Sequence, residues 1–247
     1  MAVPRLYVPS MSAGLERVGL PADEAHHVTR VLRLATGAAV RIFDGRGREW
    51  NGHLETGAKR GESSVIVEGD ATPVPEPKVA VTLAIGVLKG DQMDGVVRDA
   101  TALGVSAIVP METAHVTVPP RAWQSGAAVE RWQRVAVAAA KQCGRAVVPA
   151  VLPVATLENV LATRADTMWL CAEPEKSGPG VISSGNYARP HFSSALVLVG
   201  PEGGWADREI ELVRGAGGEV LRLGPRTFRA ELAPIVALSA LWTKWGW

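Results

Sequence analysis

The sequence predicts a small, mostly β domain over residues 1–72, then an α/β domain over 73–247 with a parallel sheet covered on both faces. Three observations predict this. The first seventy residues alternate apolar and polar positions in short segments bounded by turn residues. The stretch "DATPVPEPKVA" then sets three prolines within five residues, which neither a helix nor a central strand accepts, and it reads as a stiff linker. Beyond it come continuous apolar runs, the mark of strands buried on both faces, separated by segments of helical periodicity.

In the first domain, "RIFDGRGREWNGHL" alternates around Ile42, and Asp44-Gly45 is a hairpin signal. "SSVIVEG" is a further strand. Between the N-terminus and the hairpin, "PADEAHHVTRVLRLATG" reads as a helix opened by Pro21 and closed by Gly37. Its apolar stripe is Val28, Val31, Leu32 and Ala35, and its other face carries His27, Arg30 and Arg33.

In the second domain, "VAVTLAIGVL", "SAIVPM", "MWLCAE" and "ALVLVG" are the strands. Helices are expected in "DQMDGVVRDATALG", with Met93, Val97, Ala100 and Leu103 on one face, in "AVERWQRVAVAAAKQCG" and in "ADREIELVRGAGG". A last helix starts near Arg229 and places Ile235, Leu238, Leu241, Trp242 and Trp245 at helical spacing. Pro234 is acceptable there only because it falls in the first turn. "EKSGPGVISSGNYARP" reads as a loop.

Composition excludes several classes. With 247 residues, 47% of them hydrophobic, the chain can bury a core without staples. Two cysteines, Cys143 and Cys171, make no disulfide framework and have no partners at metal-ligand spacing, so small buried thiols and no metal are expected. No apolar run is long enough for a membrane span, and the first residues lack the apolar core of a signal peptide. The expected location is therefore cytoplasmic. Net charge is +1, and residues 1–72 carry nine Lys/Arg against nine Asp/Glu. Charge balance alone does not point to nucleic acid, and basic residues would have to cluster in space to bind it.

Three loops could carry chemistry, each beyond the carboxyl end of a predicted strand, where open α/β sheets bind ligands. In "LVLVGPEGGWADREI", glycines around Pro201 and Glu202 allow close backbone approach to a ligand. A phosphate loop is a rival reading, but no Gly-Lys-Ser/Thr ending or GxGxxG spacing is present. In "VLRLGPRTFRAELAPIVAL", Arg226, Arg229 and Glu231 stand where the chain enters the last helix, as site residues or as a surface ion pair. In "LAIGVLKGDQMD", Lys89 could reach a phosphate, while Asp91 could simply cap a helix. Lys141, Gln142 and Arg145 close the second long helix, where basic residues also complement the helix dipole.

Taken in order, "PRLYV", "HHVTRVLRLATGAAVRIFDGRGREW", "LKGDQMDGVVRDATALGVSAIVPMETAHV", "ERWQRVAVAAAKQCGRAVVP", "VGPEGGWADREI" and "LGPRTFRAELAPIVAL" resemble the bacterial 16S ribosomal RNA (uracil-N3)-methyltransferase family of the SPOUT methyltransferases. The resemblance covers nearly the whole chain. It implies a PUA-like RNA-binding β-barrel over 1–72 and a trefoil-knotted methyltransferase domain over 73–247. It also implies S-adenosylmethionine as cofactor, a uridine of small-subunit ribosomal RNA as substrate, and a homodimer.

Carried over residue by residue, Gly200, Pro201, Glu202, Gly203 and Gly204 would form one wall of the cofactor pocket. Leu223, Gly224, Pro225, Thr227, Phe228 and Ala230 would form a second, and Leu170 a third. Arg229 and Glu231 match the charged catalytic positions. Arg5, Arg30, Arg33, Lys89, Gln142 and Arg145 match polar positions facing RNA. The chain departs from the usual pattern near "LGPRILRTETA", with Thr227 and Phe228 for aliphatics and Ala230 and Leu232 for threonines, and it has Gln92 where Arg is usual. Two alternatives remain open at this stage: a SPOUT methyltransferase acting on another RNA such as tRNA, and a non-catalytic RNA-binding assembly factor.

Overall fold

The structure is a computed structural model that describes residues 3–57, 62–176 and 191–245. The chain divides into two compact units, Met1–Pro75 with Ala140–Val148, and Glu76–Ala139 with Pro149–Trp247. The proline-rich stretch between Ala71 and Ala80 lies outside any strand or helix, and the first break between units falls within it. The sequence placed Ala140–Val148 with the second domain, whereas by contacts this segment goes with the first.

The first unit is a five-stranded sheet in the order β1-β3-β4-β5-β2. Its strands are β1 (Arg5–Tyr7), β2 (Arg17–Gly19), β3 (Ala39–Phe43), β4 (Glu49–Thr56) and β5 (Ser63–Ala71). β1 joins β3 in parallel and the other pairs are antiparallel. Alternation sends Leu6, Val40, Ile42, Trp50, Leu54 and Val65 into one core with Met11 and Val28. The expected hairpin joins β3 to β4, and its turn is held by the buried Asp44 carboxylate, which accepts the N–H groups of Arg46 and Arg48.

The predicted helix is shorter than expected. Helix α1 (Ala22–His26) passes into a π-turn over His27–Val31, where Leu32 N–H reaches back to His27 O. The wider turn rotates the face, so Ala25 and Val28 are buried while Val31 and Leu32, expected in the stripe, are 61% and 39% exposed. Arg33 then leaves the helix at φ +52°, the left-handed region.

The second unit holds a seven-stranded, wholly parallel sheet. Its strands are β6 (Ala80–Gly86), β7 (Ala107–Glu112), β8 (Ala150–Val151), β9 (Ala155–Thr156), β10 (Thr167–Cys171), β11 (Ser194–Val199) and β12 (Glu219–Leu221). The order is β12-β10-β11-β6-β7-β8, with β9 also on β7. The helices are α2 (Gln92–Ala102), α3 (Ala127–Cys143), α4 (Leu157–Leu161), α5 (Asp207–Gly215) and α6 (Ala233–Trp245). The apolar runs are the buried strands: Leu83, Ala84 and Ile85 on β6 and Leu196, Val197 and Leu198 on β11 are at most 1% exposed.

In α2 the expected face is buried at Met93, Val97 and Ala100, with Val96 added, and Leu103 falls just past the helix. Asp91 does not cap α2 with its side chain; it pairs with Arg131 at 3.0 Å instead. On α6, Leu238, Leu241 and Trp242 are buried, and Trp242 and Trp245 join Trp169 and Phe192 in one aromatic cluster. Beyond its first two residues, the loop expected over "EKSGPGVISSGNYARP" lies outside the described residues. Among the described residues no helix is long and apolar enough to cross a membrane.

Candidate active site

Parallel strands put all their carboxyl ends on one edge of a sheet, so consecutive strand-end loops converge there. Because β10 lies between β12 and β11, the loops after these three strands are neighbours. They enclose a cavity of about 460 Å³, within the range of small-molecule sites.

The first wall is the loop from β11 to α5. It turns tightly at Pro201, whose carbonyl accepts Gly204 N–H at 2.9 Å, and Gly204 holds φ +67°. Trp205, 1% exposed, anchors the loop from below by donating its indole N–H to Cys171 O at 2.9 Å. A side chain on Gly200 would press on that indole, with a Cβ only 3.1 Å from Nε1. Glu202 accepts Lys89 N–H at 2.9 Å and ties the loop to the end of β6. Gly203 O lies 2.9 Å from His115 Nδ1, and the buried Glu209 fixes the start of α5 by accepting Ala114 N–H and Ala206 N–H.

The second wall runs from β12 to α6. Arg222 donates to Gly224 O, and the turn into α6 closes through Leu232 and Ala233 N–H on Arg229 O. Arg229 is 86% exposed in its side chain and Glu231 30%, and their charged ends are 4.0 Å apart. That is the outer limit of an ion pair, so the contact holding the guanidinium to Glu231 is weak. The third wall follows β10. Its Cys171 thiol is buried, which pushes its pKa up to about 12 and keeps it neutral and unreactive.

Of the residues expected at the cofactor, Gly200, Pro201, Glu202, Gly204, Leu223, Gly224, Thr227, Phe228 and Ala230 line this cavity, together with Arg229 and Glu231. Gly203, Pro225 and Leu170 are not in the lining. Leu170 is fully buried in the core with Leu198, Trp205 and Ile210, and the strand end after it contributes Cys171, Ala172, Glu173 and Pro174 instead. Sequence reading also missed Gln92, Val199, Trp205 and Ala233 in the lining. The strand period signalled the offset after Leu170: its neighbour Cys171 ends the strand, and the chain must turn outward beyond it.

The residues expected to face RNA divide. Arg30, Arg33, Lys89 and Gln142 are exposed. Arg5 is not free to act there. Its Nε donates to buried Glu49 at 2.8 Å, its Nη atoms donate to the carbonyls of Ala140, Lys141 and Arg145, and it lies 4.6 Å from the Phe43 ring centre. Arg145 is itself buried. Arg5 is thus engaged within the fold and Arg145 is shielded from solvent. Lys141 is likewise engaged, donating to both oxygens of buried Glu24 at 2.8 Å.

Comparison with known proteins agrees with this architecture. Residues 75–242 match the RNA methyltransferase domain family and residues 20–67 the RNA methyltransferase PUA domain family. The chain is 31% identical to the ribosomal RNA small subunit methyltransferase E of Bacillus subtilis, over 89% of this chain and 87% of that protein. It is similar to the crystal structure of such an enzyme from Neisseria gonorrhoeae bound to S-adenosylmethionine, with TM-score 0.87 and 28% identity over 99% and 98% of the two chains. A methyltransferase from Legionella pneumophila in complex with the same cofactor superposes with TM-score 0.89 at 26% identity, covering 98% of each chain.

Proposed function

The chain belongs to the ribosomal RNA small subunit methyltransferase E family of RNA methyltransferases with a PUA domain, and on that premise we propose that it methylates N3 of a specific uridine in small-subunit ribosomal RNA. The cofactor is S-adenosylmethionine, held in the cavity at the ends of β10, β11 and β12. The single observation that carries this reading is the convergence of the "GPEGG" and "LGPRTFRAELA" loops on one cavity, with Arg229 and Glu231 at its rim. The fit is chemical as well as spatial: Gly200 and Gly204 let the Trp205 indole and the Glu173 carboxylate pack against the backbone of one wall, and polar side chains stand beside apolar ones around the cavity.

When bound, the cofactor offers an electrophilic methyl group on a sulfonium. The protein has to make the uracil imide nucleophilic and aim it. As the N3 proton leaves, negative charge spreads onto the flanking carbonyl oxygens. Arg229 stabilises that charge, a contribution of about 2.7–4 kcal/mol for one such donor. Glu231 holds Arg229 or takes the proton. Transfer forms the N3–CH3 bond, breaks the S–CH3 bond and leaves a neutral thioether. Gly200–Gly204 fix the line of approach through close backbone contact.

The division of labour follows the domains, with 1–72 docking RNA and 73–247 carrying the chemistry. Arg30 and Arg33 are its exposed basic contacts, joined by Lys89 and Gln142. The chain path through the three loops is a trefoil knot, an exception to the unknotted rule, and the working form is a cytoplasmic homodimer. The test is incubation with labelled S-adenosylmethionine and small ribosomal subunits lacking native modification, followed by mass-spectrometric mapping. One methyl group on a uracil N3 is the expected result. Methylation of bulk tRNA instead would replace the substrate, and no cofactor binding at all would replace enzyme by assembly factor.

A further inference from the structure

Glu173 stands just past β10 and lines the cavity. Its carboxylate accepts no hydrogen bond from any described residue, and its Oε2 is closed off from solvent. Lys176, the nearest cation in sequence, is engaged elsewhere, on Trp205 O and near Asp207. Glu173 as a whole is half-buried, and a carboxylate oxygen shielded from water with no partner among the described residues is a candidate for a ligand contact.

The opposite wall is shaped around this side chain. A Cβ on Gly204 would overlap Glu173 Oε1, so the glycine's missing side chain is the space the carboxylate occupies. Gly204 is thus needed twice, for its positive φ and for this carboxylate.

Resting on the cofactor reading above, we propose that Glu173 is the anionic partner of a cationic group of the bound cofactor. Two groups on S-adenosylmethionine are cationic, the sulfonium and the α-ammonium. The carboxylate pairs with one of them at a site of low polarity, where charge-assisted contacts are strongest.

The experiment is calorimetric titration of the full chain and its Glu173→Gln and Glu173→Asp variants with S-adenosylmethionine, S-adenosylhomocysteine and 5′-methylthioadenosine. Thermal melting of each unliganded protein accompanies it. Glu173→Gln is expected to weaken S-adenosylmethionine by at least about tenfold, with 5′-methylthioadenosine unchanged. S-adenosylhomocysteine weakens equally if the ammonium is the partner and is spared if the sulfonium is. The unliganded melting temperature stays level or rises, because an unpaired charge has been removed; a purely structural carboxylate would lower it. Glu173→Asp keeps the charge and loses only part of the affinity, and it carries the comparison if the Gln variant fails to fold.

Equal weakening of all three ligands would place a neutral nucleoside group at Glu173 and overturn the proposal. Unchanged affinities, or a lower melting temperature without any change in discrimination, would overturn it too. Failure of the parent protein to bind S-adenosylmethionine would instead sink the cofactor reading, and this proposal with it.

Discussion

Trp205 and Cys171 join two walls of the cavity: the indole N–H of one donates to the backbone carbonyl of the other at 2.9 Å, beneath a floor on which Gly200 rests. Trp205→Phe keeps the ring and removes the donor. A buried acceptor deprived of a partner costs about 1–3 kcal/mol, so urea unfolding of the variant should show a loss in that range. Cofactor affinity should fall with it, because the β11–α5 loop loses its tether to β10. Parent-like stability would mean that the bond contributes nothing to holding these loops together.

Gly204→Ala tests the close approach on the other side of that loop. The substitution meets a left-handed backbone, costing about 1–2 kcal/mol, and it displaces the Glu173 carboxylate besides. Loss of cofactor binding is expected together with destabilisation. Gly95→Ala is the control, since this glycine sits in α2 with nothing within 4 Å of an added Cβ. It should stabilise by about 0.5–1 kcal/mol. Similar effects at both positions would deny Gly204 its special role.

Much of this was legible in the sequence, for local reasons. Unbroken apolar runs marked β6 and β11 because a parallel strand is covered on both faces, and the Gly-rich turn after β11 and the Arg229–Glu231 pair marked the cavity rim. Contacts distant in sequence were not legible. Arg5 reads as an RNA contact through the family resemblance alone, yet its partners are Glu49 and carbonyls at 140, 141 and 145. The π-turn at His27–Val31 was hidden because periodicity assumes 3.6 residues per turn, and one wide turn exposed Val31 and Leu32. Glu173 gave no signal at all, since only the fold brings it against Gly204.

Arg5 and Arg30 should therefore behave differently. Arg5→Ala leaves buried Glu49 and three carbonyls without their donor, and breaking such a pair costs about 3–5 kcal/mol; chemical denaturation should record it. Arg30→Ala, on an exposed position, should leave stability within about 0.5 kcal/mol and instead lower the slope of log affinity against log salt for RNA by about 0.7–0.9. The opposite pattern would make Arg5 an RNA contact after all.

At the rim, Glu231→Gln should slow methyl transfer while leaving cofactor affinity roughly as it was, and Arg229→Ala should slow it by a factor on the order of 10²–10³. Single-turnover rates at saturating cofactor separate the two effects from binding. Full activity of Glu231→Gln would remove acid–base chemistry from this residue and leave Arg229 acting alone.

Asp166 offers a test in pH. The Ser193 backbone N–H, then the Ser193 hydroxyl, and the Ser194 backbone N–H hold its carboxyl below the ordinary carboxylate pKa, clamping the starts of β10 and β11. A depressed folded-state pKa contributes stability that is complete above the unfolded value of about 3.9 and is lost as pH falls through the folded value. Asp166→Asn has no carboxylate to take up a proton as the pH falls, so its urea midpoint should decline less steeply than the parent's between about pH 4 and 2. Parallel acid branches for the two proteins would show that this exposed clamp adds nothing to the pH dependence.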